Sequence, residues 1–210
     1  MGAKERRERE KEQRRRQIQE AAKYLFIKKG FTSSTIEDIA NRAELSPGAI
    51  YSYFKSKEEL LASLILLPLG YLFKRSQEVY EDDSLRVDEK MVAFLEVMYD
   101  TFKYDQLMLR NIFHLQIEDT LETLSPDLLQ EIQYVIRKLI SMWASVYQAG
   151  VDEGRFVAAP PIVQADIMWS TFSGLVMWEE AKRKLNPAKD YLKPTLDWAF
   201  QVMLNGIRKR

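Results

Sequence analysis

Apolar residues recur every three or four positions along almost the whole of this 210-residue chain. The clearest example is the stripe formed by Ile18, Ala21, Ala22, Leu25 and Phe26, whose spacing is that of one face of an α-helix. A sheet would need runs of alternating β-branched residues between turn signals, and we find none. The sequence therefore predicts an all-α protein of about nine helices.

Turn and cap residues divide the second part of the chain at Ser125-Pro126, Gly150, Gly154, Pro160-Pro161 and Asn186-Pro187. With these signals the pattern predicts helices at about 87–103, 105–121, 126–149, 161–185 and 190–207. Pro68 lies inside a helix predicted to run from Lys57 to about Tyr80. Because an internal proline removes a backbone hydrogen bond, we expect either a kink there or two helices that meet.

The composition excludes several kinds of site. The chain has no Cys and one His, which excludes disulfides, thiol nucleophiles, Cys-ligated metals and paired-His zinc motifs. We find no glycine-rich phosphate loop, and we interpret His114 as a solvated or hydrogen-bonded helix residue. We therefore expect no catalytic site, no metal and no cofactor.

No segment is long and apolar enough to cross a membrane. The longest uncharged stretch is residues 60–73, which has 14 residues, whereas a bilayer span needs about 20. The basic amino-terminal segment has no apolar stretch behind it, so we identify no signal peptide. We expect a cytoplasmic protein that does not enter membranes.

Charge is distributed unevenly, although basic and acidic side chains each number 31. Residues 1–60 hold 14 basic and 10 acidic side chains, and residues 61–210 hold 17 basic and 21 acidic. A basic amino-terminal part is typical of contact with a polyanion; a solvated charged helix is the alternative. Residues 4–16, with eight basic and four acidic side chains, can follow a minor groove or phosphates, or form a frayed, solvated helix extension.

Residues 18–60 have the pattern of a helix-turn-helix domain. Gly30 ends the first helix, and Ser34 with Glu37 matches the S-x-x-E capping box at the start of the second. A turn of about three residues separates the second helix from Ser46-Pro47, which begins a short third helix. We therefore predict one domain over residues 1–60 and a second over 61–210.

The third helix is predicted to have a core side and an open side. Ile50 and Phe54 lie four residues apart and should face the core. Gly48, in the first turn, would let the backbone approach a phosphate closely. The side chains that should point outward, toward a DNA groove, are those of Pro47, Ala49, Ser52 and Tyr53.

The segment from Ile18 to Leu61 resembles the DNA-binding domain of TetR-family (tetracycline-repressor-like) transcriptional regulators. The family pattern is present as Gly30-Phe31, Thr35, Ile39-Ala40, Ser46, Gly48, Ile50-Tyr51, Phe54, Lys57 and Leu60. The remaining residues are similar to the family in length, in helical character and in the turn at 149–156. Family members commonly have His where this chain has Tyr53.

The resemblance implies which residues contact DNA. Thr35, Tyr51 and Lys57 would hold phosphates, which position the protein without selecting a sequence. The residues at or in the major groove, where base edges are distinguished, would be Ser46, Gly48, Ala49, Ser52 and Tyr53. The alternative for Tyr51 and Tyr53 is core packing, and the alternative for Ser46 is a helix cap that does not touch DNA.

The resemblance also implies a dimer. One helix-turn-helix makes few contacts, and such proteins pair across two half-sites about 34 Å apart. In the family the last two helices, here 161–185 and 190–207, form a four-helix bundle with those of a second copy. The predicted interface residues are Met168, Phe172, Leu175, Val176 and Trp198, and burial in the chain's own core is the alternative.

Family members keep an effector pocket between helices of the second domain. The candidates here are the soft and aromatic side chains Tyr71, Met98, Phe102, Phe113, Met142, Trp143, Tyr147 and Trp169, for which ordinary core packing is the alternative. Few charges interrupt the apolar faces, which favours a large apolar effector, such as a fatty acyl chain, over a sugar or a metal.

These observations predict a homodimeric, ligand-responsive repressor that binds double-stranded DNA. A mainly apolar small molecule would release it from a palindromic operator by favouring a state whose half-site spacing is wrong. The alternative is a helical small-molecule carrier without DNA activity. DNA binding that weakens steeply with salt and prefers a palindrome would distinguish the regulator from the carrier.

Overall fold

The computed structural model describes residues 2–106, 112, 124–186 and 190–209. Eight helices lie in these residues: α1 (Ala3–Lys29), α2 (Ile36–Arg42), α3 (Pro47–Tyr51), α4 (Lys57–Glu81), α5 (Val87–Tyr104), α6 (Pro126–Asp152), α7 (Pro161–Leu185) and α8 (Leu192–Ile207). Within the described residues no strand occurs, and Phe156 and Arg208 form an isolated antiparallel bridge. The all-α prediction is confirmed.

The predicted helix limits agree closely with those of α5, α6, α7 and α8, because the turn and cap residues between them are local signals. The helix predicted at 105–121 lies almost entirely outside the described residues. α4 runs unbroken through Pro68, so the alternative of two separate helices there is wrong. None of the helices that the structure describes is sufficiently long and apolar to span a bilayer.

The chain forms two compact units, and the division falls within α4, between Leu67 and Pro68. The first unit comprises residues 2–67, 112 and 124–130. In α1 the side chains of Ile18, Ala22 and Phe26 are at most 1% exposed, which confirms the predicted apolar stripe. The same unit buries residues of α2, α3 and the start of α4, namely Ile39, Ala40, Ile50, Leu60 and Leu61.

The second unit comprises residues 68–106, 131–186 and 190–209. A series of aromatic rings joins α5, α6 and α7 in its core. The ring centroids are 6.3 Å apart for Phe94 and Trp143, 6.4 Å for Trp143 and Trp169, and 6.2 Å for Trp169 and Phe172. These separations are typical of favourable aromatic pairs, so the rings stabilise the packing of the three helices.

The turn after α6 is joined by backbone hydrogen bonds to the residues that follow α8. The Val157 N–H donates to the Ile207 carbonyl at 2.8 Å, and the Lys209 N–H donates to the Arg155 carbonyl at 2.8 Å. Gly154, with φ of 71°, provides the left-handed backbone that this turn requires.

Gly150 lies against the ring of Phe156, which packs back onto α6. Phe156 is 2% exposed and stacks on Tyr147 with the ring centroids 5.6 Å apart. The Tyr147 hydroxyl donates to the Val157 carbonyl at 2.6 Å, and burial raises the pKa of this phenol, so it remains a donor at neutral pH. A Cβ at position 150 would lie 2.1 Å from the ring of Phe156.

We therefore expect Gly150→Ala to destabilise the protein. The added methyl group must displace the Phe156 ring, which is already stacked on Tyr147. Such overpacking costs about 1–3 kcal/mol. Thermal unfolding should show a midpoint lowered by several degrees. The control is Gly70→Ala in α4, where a Cβ meets no atom within 4 Å and stability should be unchanged or slightly higher. Equal midpoints for the two variants would contradict this expectation.

Candidate nucleic-acid interface

The second helix begins with a capping box that lies one residue later than predicted. The Thr35 hydroxyl oxygen accepts from the Asp38 N–H at 3.1 Å, and the Asp38 carboxylate accepts from the Thr35 N–H at 3.2 Å. The predicted box of Ser34 and Glu37 is therefore wrong. Ser34 is buried, and its hydroxyl donates to the Gly30 carbonyl at 2.7 Å instead.

This cap leaves Thr35 able to contact a phosphate. Its side chain is exposed, and its hydroxyl oxygen uses a lone pair in the cap while the hydroxyl hydrogen can still donate. Lys29 donates to the Asp38 carboxylate at 2.9 Å. That bond and the Thr35 N–H hold the pKa of Asp38 below its ordinary value, so the cap remains charged at neutral pH.

The third helix is capped as predicted. The Ser46 hydroxyl oxygen accepts from the Ala49 N–H at 3.2 Å, and Pro47 occupies the first turn. Ser46, Pro47 and Gly48 are exposed, and a Cβ on Gly48 would have only the Ser46 hydroxyl oxygen near it, at 4.0 Å. Ser46 is thus a cap whose hydroxyl hydrogen is still available to DNA.

The predicted core side of α3 is buried, and the predicted open side is exposed in part. Ile50 and Phe54 are 0% and 1% exposed, so they anchor the helix in the core. Tyr51 is 54% exposed, so its ring is not packed in the core. Tyr53 and Ala49 are half-buried at the edge of the same surface.

Ser52 ends α3 at this surface. It is exposed, and its hydroxyl donates to the Ala49 carbonyl at 2.7 Å, so only its oxygen lone pairs are left for a DNA donor.

Lys57 has a structural role that the sequence did not reveal. Its ammonium donates to the carbonyl oxygens of Phe31 at 2.9 Å and Ser34 at 3.0 Å, and it lies 4.3 Å from the centroid of the Phe31 ring. An ammonium has three donors, so one hydrogen is left for the predicted phosphate. Lys57→Ala would loosen the loop between α1 and α2 as well as remove a cation.

A side chain of α1 is hydrogen-bonded to the turn between α2 and α3. The Gln17 side-chain amide donates to the Ala43 carbonyl at 2.7 Å. Glu44 has a φ of 53°, in the left-handed region that is uncommon for residues other than glycine. Arg42, at the end of α2, lies 3.3 Å from the centroid of the Tyr24 ring on α1. These tertiary contacts fix α2 and α3 relative to α1, and no local pattern indicates them.

Half of the eight predicted effector residues are buried in the core of the second unit. Met98, Phe102, Trp143 and Tyr147 are at most 3% exposed. Tyr71 is half-buried and stacks on Tyr104 with centroids 4.9 Å apart. Met142 and Trp169 are half-buried as well, and Phe113 lies outside the described residues.

A cleft of about 480 Å³ in this unit lies elsewhere. It is lined by residues of α4, α5 and α6 that include Tyr80, Val87, Lys90 and Ser145. None of the predicted effector residues is among those that line it.

The predicted dimer residues differ in their exposure. Met168, Phe172 and Val176 are at most 1% exposed and belong to the chain's own core, while Leu175 is half-buried. Trp198 on α8 is 72% exposed. Because α7 is apolar on several sides, its periodicity could not show which apolar face is open.

The open face of α7 is a second, uncharged stripe. Its members recur at the spacing of one helix face and are all exposed: Val163, Ile167, Ser170, Gly174, Trp178, Ala181 and Leu185. On α8 the exposed residues Pro194, Trp198 and Val202 follow a similar spacing. The α7 stripe was not among the predicted sites, although its spacing is visible in the sequence.

Comparison with known proteins identifies the helix-turn-helix. Residues 18–64 match the model of the family described as bacterial regulatory proteins, tetR family. Residues 18–64 are therefore a helix-turn-helix domain of the tetR-family type. It is 26% identical over 149 residues to the transcriptional repressor KstR2 of Mycolicibacterium smegmatis, a match that covers 68% of this chain and 67% of that protein. The matched family and this relative are regulators and not enzymes, as the sequence predicts.

Solved TetR-family structures share the fold. PfmR from Thermus thermophilus superimposes with a TM-score of 0.71 at 21% identity, covering 90% of this chain and 97% of that one. FadR from Bacillus subtilis, solved in complex with stearoyl-CoA, gives a TM-score of 0.68 at 21% identity and covers 91% and 98%. At these sequence identities the similarity shows a shared fold, and the shared fold extends over nearly the whole of each chain.

Proposed function

We propose that this protein is a cytoplasmic, homodimeric TetR-family repressor that leaves a palindromic operator when a mainly apolar small molecule binds. Residues 1–60 would bind DNA, and residues 61–210 would bind the effector and form the dimer. The observation that supports DNA recognition is the arrangement of α3, in which two buried residues anchor the helix and Pro47, Tyr51 and Ser52 are exposed.

The contacts would divide between phosphates and bases. Thr35 and Tyr51 keep a hydroxyl that can donate to a phosphate, and Lys57 keeps one ammonium hydrogen. Ser46, Gly48, Ala49, Ser52 and Tyr53 would meet base edges in the major groove. Because Ala49 is small and apolar, a thymine methyl suits it best.

The dimer would use the uncharged stripe of α7 defined above, together with the exposed face of α8. The stripe extends over 22 residue steps, which is about 33 Å of helix. Its small members Ser170 and Gly174 permit close approach of a second helix, and Trp178 and Trp198 supply large apolar contacts. An exposed apolar strip of this length is typical of a protein–protein interface.

The effector would bind among the aromatic and methionine side chains of the second unit. Trp143 is 2% exposed, and its indole N–H has no acceptor within the described part of the chain. A ligand with a long apolar body and one acceptor group would satisfy this donor. FadR, which shares the fold, binds stearoyl-CoA in its solved complex, and long-chain acyl-CoA is therefore the first effector to test.

Selection of bound fragments from random duplex DNA tests the proposal. We expect a palindromic consensus and an affinity that falls steeply between low and physiological salt. Tyr53→Ala should lower affinity for the selected operator about 10-fold and relax the preference at the base it meets, and stearoyl-CoA should release the wild-type protein. Binding without sequence preference or salt dependence would instead support a carrier without DNA activity.

A further inference from the structure

One face of α1 changes from apolar to basic toward its amino end. Ile18, Ala21, Ala22 and Leu25 are buried on this face. The same line continues through four exposed cations, spaced three and four residues apart, which we call the basic stripe: Lys4, Arg7, Lys11 and Arg14. With a rise of about 1.5 Å per residue the stripe extends roughly 20 Å beyond the core.

Three acidic side chains of this segment have partners outside the basic stripe, although Glu10 also lines the cleft described below. Glu10 pairs with Arg6 at 2.9 Å, and Glu12 pairs with Arg16 at 3.2 Å. Glu5 accepts from the Gly2 N–H at 3.1 Å. Within the described residues Arg7 and Lys11 form no ion pair, so their charge is available to a partner.

The carboxy-terminal end of the basic stripe lies beside α3. Arg7, Lys11 and Arg14 line a cleft of about 470 Å³ together with Tyr53, Glu10, Gln13 and Gln17; Glu10 is paired with Arg6, so the three cations outnumber it there. The base of the stripe is fixed there, because Gln17 donates to the Ala43 carbonyl at 2.7 Å and the Arg15 guanidinium lies 4.7 Å from the centroid of the Phe54 ring. The helix that carries the cations is therefore anchored beside Tyr53, a side chain expected in the major groove.

We propose that the basic stripe binds the sugar-phosphate backbone of the duplex that α3 contacts, just outside the half-site, with a phosphodiester in the cleft beside Tyr53. This inference rests on the proposed function. Each neutralised phosphate releases counterions and adds affinity for any sequence. Since the cations stand on a formed helix, binding does not have to order this segment.

A charge-matched pair of variants tests this inference. The first is Arg7→Gln/Lys11→Gln/Arg14→Gln; the control, Arg6→Gln/Arg9→Gln/Arg16→Gln, removes three cations from other faces of the same segment. Gln is a good helix former, so circular dichroism should be unchanged in both. Fluorescence anisotropy measures affinity for the selected operator and for a random duplex at several salt concentrations.

We expect the stripe variant to lose more than about 1,000-fold in affinity for both duplexes at about 0.15 M salt, and the slope of log K against log salt to fall by about 5 for a dimer. The control should change the slope by less than about 1. Removing the DNA that flanks the two half-sites should reduce wild-type affinity to that of the stripe variant.

Equal losses in the two variants would overturn the inference, because net charge alone would then explain the effect. In that case the wild-type preference for its operator would leave the proposed function intact. If the wild-type protein binds neither duplex, the proposed function and this inference fail together.

Discussion

Ile167→Glu is expected to convert the protein from a dimer to a monomer. Ile167 is 42% exposed in the middle of the uncharged stripe of α7. In the proposed interface a carboxylate at this position would be desolvated without a partner of opposite charge. Each subunit of the dimer would contribute one such carboxylate. Burial of an unpaired charge is strongly unfavourable. Sedimentation at micromolar protein should therefore show the wild type as a dimer and this variant as a monomer.

Loss of the dimer should remove most operator binding. A monomer engages one half-site, whereas in the dimer the second contact forms at the high effective concentration set by the first. We expect affinity for the full operator to fall at least about 100-fold. Affinity for an isolated half-site should change little, because the helix-turn-helix is untouched.

Ile162→Glu is the matched control. Ile162 lies on the same helix and is 51% exposed, but it is off the stripe, so this variant should remain dimeric and bind the operator normally. If Ile167→Glu stays dimeric with wild-type affinity, the interface lies elsewhere. A wild-type protein that is monomeric at these concentrations would contradict the homodimer itself.

The features of the helix-turn-helix that could be predicted depend on short-range rules. Ile50 and Phe54 point inward because they lie four residues apart on a helix, and Ser46 with Pro47 starts α3 because cap and proline preferences act within one turn. The predicted start of α2 was wrong by one residue, because Ser34 and Thr35 are adjacent and either residue type can cap a helix. The buried hydrogen bond of Ser34 to Gly30 decides between them.

The features that could not be predicted depend on contacts distant in sequence. Lys57 donates to carbonyl groups 26 and 23 residues earlier in the chain, and nothing near Lys57 indicates those acceptors. On α7 the pattern is apolar on two opposite faces. Which face becomes core depends on how α7 packs against the helices around it, so Met168 and Phe172 were assigned to the interface when they are buried inside the chain.

Gly48→Glu is expected to abolish operator binding without affecting the fold. Gly48 is exposed in the first turn of α3, and a Cβ there meets only the Ser46 hydroxyl oxygen at 4.0 Å. The domain can thus accept a side chain at this position. Against a duplex, however, the same side chain would bring a carboxylate next to the phosphates or base edges that α3 is proposed to approach.

Two neutral variants separate the effects of charge and size. Gly48→Ala adds a methyl group and tests whether the backbone approaches DNA closely; we expect about a 10-fold loss of affinity. Gly48→Gln matches Glu in size without its charge, and its affinity should fall between those of the Ala and Glu variants. For Gly48→Glu we expect a loss of more than about 100-fold, from lost contacts and repulsion together. Melting temperatures of all three should remain near that of the wild type.

Salt dependence then distinguishes repulsion from a steric clash. Because salt screens exposed charges over about 10 Å at 0.1 M, the difference in affinity between Gly48→Glu and Gly48→Gln should shrink as salt rises, whereas a steric penalty shared by both should persist. If Gly48→Glu binds the operator as well as the wild type does, this turn of α3 does not face the duplex. The contacts proposed for Ser46 and Ala49, which flank the same surface, would then be wrong as well.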